Sequence, residues 1–86
     1  MQIEDFKIIT KKHLKTCKKL VEREGACSGI LCFDCPFNIN NASNNESCAK
    51  NGYASSELDY REKDLATEQS AKAFIKMCEE KKMFDF

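Results

Sequence analysis

Cys27-Ser28-Gly29-Ile30-Leu31-Cys32-Phe33-Asp34-Cys35-Pro36-Phe37, followed across an Asn-rich stretch by Cys48, is the segment on which the reading of this chain turns. Its spacing is Cys-x4-Cys-x2-Cys-x12-Cys. Two cysteines separated by two residues reach one centre because a tight turn draws their sulfurs together. Pro36 suits that turn, since proline ends a helix and fixes its own φ while holding the residue before it extended. Free cysteine is ordinarily a small buried hydrophobe, but the Gly, Asp, Asn and Ser around these four make a polar setting that argues for ligation instead. Four thiolates close a tetrahedral structural zinc site; they also hold a [4Fe-4S] or [2Fe-2S] cluster, and Cys-x4-Cys-x2-Cys opens the plant-type ferredoxin pattern, though the fourth cysteine lies nearer here. Zinc on Cys27, Cys32, Cys35 and Cys48 is the first expectation and an iron–sulfur cluster the alternative.

The rest of the chain shows why such a staple is expected. At 86 residues the protein is read as a single domain, residues 1–86, near the size at which an apolar core alone leaves little net stability. The stretch 38–51 is dominated by Asn and Ser, which bond their own backbone and favour turns. Cys48 is its one anchor. Metal binding would turn into folding free energy there.

Helices are expected on both sides. Over 3–24, Ile3, Phe6, Ile9, His13, Cys17 and Leu20 recur every three or four residues among lysines, and Gly25 ends the run. Over 60–82, Leu65, Ala71, Phe74, Ile75 and Cys78 form a second stripe, with Thr67 a candidate start for a separate helix. Ser55 or Ser56 is the candidate cap of the C-terminal helical segment. The expected fold is mainly α: two or three helices packed antiparallel around a short four-cysteine metal-binding knuckle and an Asn-rich loop. It divides into an N-terminal basic helix (1–24), a Cys-rich segment and loop (25–51) and a C-terminal helical segment (56–86).

Charge and motifs narrow the function. Formal net charge is zero, which argues against a surface given over to nucleic acid. Lys11, Lys12, Lys15, Lys18 and Lys19 nevertheless crowd one to two faces of the first helix, so they are candidate partner-binding residues, as are Phe84 and Phe86 in the aromatic tail. A nucleic-acid-binding regulator using the Lys11–Lys19 face is an alternative; a solvated helix face or an acidic protein partner is preferred, because no stacking aromatics are interleaved. Cys17 and Cys78 sit on the apolar stripes and read as core thiols. His13 precedes Cys17 by four residues, the offset for a shared ligand or an activated thiolate, but with no orienting Asp or Asn it reads as a partly buried helix residue. No phosphate-cradling Gly loop, nucleophile elbow or His-Glu-x-x-His motif occurs, so no enzyme is expected apart from redox chemistry at a cluster. Met1 to Lys12 carries acidic residues and no continuous apolar region, and no apolar run approaches the ~18 residues a membrane span needs. A cytoplasmic protein with no membrane partner is expected, monomeric or homodimeric. Asn41-Ala42-Ser43 and Asn45-Glu46-Ser47 are then chance matches to the glycosylation sequon.

The segment from Cys27 to Phe37, with Cys48 beyond it, resembles small proteins encoded by bacteriophages and prophages that carry a Cys-x-Gly-Ile-x-Cys-x-x-Cys-Pro element. The resemblance covers about a quarter of the chain. It implies a metal-binding element in a phage accessory protein that binds and modulates a host or defence protein. Taken together, the residues predict a small metal-stapled protein-interaction module, with an iron–sulfur redox or sensing protein as the alternative.

Overall fold

The computed structural model describes all residues except 44, 45, 51–56, 85 and 86. Two α-helices, α1 (Lys11–Glu22) and α2 (Tyr60–Glu80), pack against one another, and among the described residues the rest is loops and single 3-10 turns. The mainly helical expectation holds.

The first helix starts later than its periodicity predicts. Ile3–Asp5 is one 3-10 turn, and α1 begins at Lys11. Thr10 is the reason: its backbone is extended, and its hydroxyl accepts from the His13 N–H at 3.3 Å, the N-cap arrangement. The β-branched pair Ile8-Ile9 just before it also disfavours helix. Backbone groups freed by this late start pair with the Asn-rich loop. Lys7 N–H donates to Asn41 O at 3.0 Å, Ser43 N–H donates to Asp5 O at 2.7 Å, and Phe6 bridges to Ala42. Phe6 thus reaches the core from an extended segment.

Gly25 stops α1 as expected, and the geometry shows how. Glu24 N–H donates to Val21 O and Gly25 N–H to Leu20 O, the paired bonds of a Schellman ending. Both residues have positive φ, 56° at Glu24 and 88° at Gly25. A Cβ on Gly25 would also overlap the backbone carbonyl of Asp64, so α2 runs directly over this turn. The α2 C-terminus repeats the ending, with Lys82 at φ 51° and Met83 N–H donating to Cys78 O.

α2 is one uninterrupted helix. Thr67 does not start a new one; its hydroxyl donates to Lys63 O at 2.7 Å, the turn before it. Asp59 is the N-cap, accepting from Glu62 N–H at 2.8 Å, while Ser55 and Ser56 lie outside the described residues. Leu65, placed on the apolar stripe by periodicity, is exposed, and the buried face instead comprises Thr67, Ala71, Phe74, Met77 and Cys78. Continued back from Thr67 by one helical step, that face passes through Asp64, which meets the Gly25 turn, and not through Leu65.

Three rings join the parts. Phe6 from the N-terminal segment, Phe37 from the cysteine loop and Phe74 from α2 meet with centroids 5.1–6.2 Å apart in tilted and edge-on pairings that suit their quadrupoles. Cys17 and Cys78 are fully buried in the same core. This core holds one edge of the cysteine loop in place.

Candidate metal centre

The loop after Gly25 is a chain of tight turns. Ile30 N–H donates to Cys27 O, Asp34 N–H to Leu31 O, Cys35 N–H to Cys32 O and Asn38 N–H to Cys35 O, all between 2.9 and 3.2 Å. Gly29 supplies the positive φ that lets the chain reverse between the first two cysteines. A 3-10 turn at Cys32–Asp34 then carries the chain from the second cysteine to the third. Pro36, fully buried, wedges the following residue Phe37 into the aromatic core.

Asparagines fasten this knuckle from outside. Asn38 Nδ2 donates to Cys32 O at 3.0 Å, and Asn41 Nδ2 to Cys35 O at 3.0 Å and Phe33 O at 3.3 Å. Cys48 is brought in by its own N–H, which donates to Phe37 O at 2.7 Å. The Asn-rich stretch is therefore tied by hydrogen bonds as well as by its cysteine.

Cys27, Cys32, Cys35 and Cys48, the four residues singled out by spacing, line one cavity of about 260 Å³, with Ile30, Ile39, Asn38 and Ser47 as the other walls. All are free thiols. Among the described residues no three His, Cys, Asp or Glu side chains converge tightly enough to hold one metal ion. Cys35 is the buried member and Cys32 the exposed one, so the cavity has a closed floor and an open mouth.

Hydrogen-bond donors are aimed at the sulfurs. Lys50 N–H donates to Cys48 Sγ at 3.4 Å and Lys50 Nζ to Cys27 Sγ at 3.4 Å. Burial pushes the Cys35 thiol up to about 11, opposed by a hydrogen bond from the Phe37 backbone and reinforced by the neighbouring Cys48, Cys27 and Cys32. The three other cysteines therefore lie close to Cys35. Of the four thiols, three receive an N–H group.

Lys50 is the contact to the cysteines that spacing did not reveal. Its Nζ makes three bonds: to Asp64 Oδ1 at 2.7 Å, to Gly25 O and to Cys27 Sγ. Desolvation pulls its pKa down, but the bonds to Asp64 and Cys27 outweigh it and the net shift is upward. The only local sign was a lysine two positions after Cys48.

The other candidates fall in separate places. Lys11, Lys12, Lys15, Lys18 and Lys19 are all exposed on α1 and line no part of the cysteine cavity. Phe84 packs half-buried against the core, and Phe86 lies outside the described residues. Burial lowers the pKa of His13, with Asp34 and a hydrogen bond to the Ile8 backbone opposing the shift; its Nδ1 is buried without a partner. Cys17 and Cys78 are electrostatic neighbours in the core and do not line the cavity. Burial first, then Cys35 and Cys78, raises the Cys17 thiol far above its usual range, which leaves it protonated and unreactive.

Around the mouth the surface is apolar. Leu31, Phe33 and Ile39 are exposed beside the cavity cysteines, and Phe33 with Ile8 and Lys12 borders a second hollow of about 230 Å³. No described helix is long and apolar enough to cross a membrane. Comparison of the chain with family models, curated proteins and solved structures returned no match.

Proposed function

We propose that the chain is a small iron–sulfur protein whose Cys27, Cys32, Cys35 and Cys48 hold one cluster, and whose loaded state governs contact with a protein partner. The observation that carries this reading is the shared cavity: the four cysteines line one space of about 260 Å³. Bound there, the cluster would supply one-electron redox chemistry or sensitivity to oxidants. The chain's own residues do the rest. Phe37 and Lys50 direct N–H groups at the ligand sulfurs, Ile30 and Ile39 give the walls their apolar surface, and the aromatic core fixes Cys35. The exposed Leu31, Phe33 and Ile39 put apolar surface at the mouth, where a partner would sense whether the loop is filled.

Anaerobic purification with measurement of iron, acid-labile sulfide and zinc tests the reading. Brown protein with about four iron and four sulfide per chain, or about two of each for the smaller cluster, is expected. Colourless protein with about one zinc per chain and no sulfide would overturn it and return the site to a structural zinc staple.

A further inference from the structure

Lys50 stands between the cysteine site and the helix pair in a way that a surface lysine does not. Its side chain is 22% exposed, and its ammonium has three donors with three takers: the carboxylate of Asp64 on α2, the carbonyl of Gly25 at the end of α1, and Cys27 Sγ. Its backbone N–H goes to a second ligand, Cys48 Sγ. One residue thus touches two of the four sulfurs, and it brings a full positive charge to one of them.

We propose that Lys50 is a positioning residue that sets the electron density and metal affinity of the cysteine site, through its ammonium on Cys27 Sγ and its N–H on Cys48 Sγ. The inference rests on the reading of Cys27, Cys32, Cys35 and Cys48 as a ligand set. Four thiolates bring four negative charges into a partly buried loop, and a half-sheltered cation within hydrogen-bond distance offsets one of them where screening by water is weak. A hydrogen bond to a ligand sulfur also withdraws electron density from it. A cluster held by such sulfurs is easier to reduce, because the extra electron enters a less negative environment. Asp64 holds the ammonium in place but, being one atom group further out, acts on the sulfurs only through Lys50.

The test uses the full chain and three variants: Lys50→Met, which keeps the stem and removes the charge; Lys50→Arg, which keeps the charge; and Asp64→Asn, which loosens the clamp and leaves the ammonium. Two readouts are taken beside a thermal melt: Co²⁺ affinity of the metal-free chain by chelator competition, and the midpoint potential of the cluster-loaded chain. Lys50→Met is expected to weaken Co²⁺ binding by about tenfold, the lower end for loss of a residue that supports metal ligands. It should also cut the reduced-to-oxidised ratio at fixed ambient potential about tenfold, which is 59 mV for a one-electron couple. Lys50→Arg should recover most of both, and Asp64→Asn should lower the melting temperature while shifting neither readout as far. Unchanged affinity and potential in Lys50→Met, with only a lower melting temperature, would overturn the proposal and make Lys50 a purely structural pin. So would Asp64→Asn matching Lys50→Met in every readout. Should the chain take up no cluster, the iron–sulfur reading fails by itself, and Lys50 is judged on Co²⁺ affinity, where no change in Lys50→Met overturns it. If Lys50→Met does not fold, Lys50→Arg decides, since a loss of Co²⁺ binding with the charge retained contradicts the charge argument.

Discussion

Gly25→Ala should be among the most damaging single substitutions in the chain, although it adds one methyl group at a loop position. Two separate effects combine. Gly25 sits at φ 88°, outside the left-handed well that L-residues tolerate best, and moving any Cβ-bearing residue there costs at least ~1–2 kcal/mol. The added Cβ would also overlap the Asp64 carbonyl, so α2 must shift away from the end of α1, an overpacking strain of ~1–3 kcal/mol. That shift pulls Asp64 from Lys50 and Lys50 from Gly25 O, which the same turn holds. The total, ~2–5 kcal/mol, is a large part of the ~4–13 kcal/mol that a chain of 86 residues has in all. Near ~4–8 °C per kcal/mol, the melting temperature should fall by roughly 8–40 °C. Thermal and urea unfolding followed by circular dichroism measure it. The adjacent Glu24→Gly is the counter-experiment: Glu24 already bears a side chain at φ 56°, so glycine there relieves strain and should be neutral or stabilising by up to ~1 kcal/mol. Gly25→Ala unfolding within ~0.5 kcal/mol of the parent chain, the range of ordinary surface changes, would refute the close approach of α2 to this turn.

Cys35→Ser should abolish cofactor uptake, whereas Cys17→Ala, at a buried thiol that does not line the cavity, should retain full metal content while losing ~1–2 kcal/mol of stability; metal analysis beside urea titrations separates the two. For His13, the folded-state pKa lies below its ordinary value, so the unfolded chain takes up the proton first and stability should decline as pH falls below ~6.5. Urea unfolding at several pH values should show that decline in the parent chain and a shallower one in His13→Gln. Phe33→Ser, at a residue 86% exposed, should change stability by less than ~0.5 kcal/mol, as read from thermal melts; a larger loss would mean that the ring supports the fold and not a partner surface.

Much of the site was legible in the chain. Cys27, Cys32 and Cys35 line one cavity because Cys-x2-Cys, Gly29 and Pro36 produce the turns that bring them round, and these are local effects; Cys48 joins them through its N–H bond to Phe37 O. Cys17 and Cys78 were equally legible as core thiols from their place on apolar stripes. The start of α1 was not. Ile3 and Phe6 happen to continue the helical periodicity backward, yet Phe6 is buried from an extended segment bridged to Ala42. A threonine cap at Thr10 and two β-branched residues before it outweighed the pattern, and backbone pairing with Asn41 and Ser43 stabilised the alternative. Leu65 misled for a different reason: a stripe drawn through apolar residues takes it in, whereas the face that meets the Gly25 turn carries the polar Asp64.

By itself the amino-acid sequence determined that the chain is mainly helical, that Gly25 breaks the first helix, and that four cysteines share a loop, because hydrophobic period, backbone freedom and ligand spacing act between residues a few positions apart. The tertiary structure alone decided that the cysteines surround a cavity and that Lys50 joins Cys27, Gly25 and Asp64. Those outcomes depend on where α2 crosses the end of α1. A charge that has to find partners on three distant segments leaves no periodic trace in any one of them.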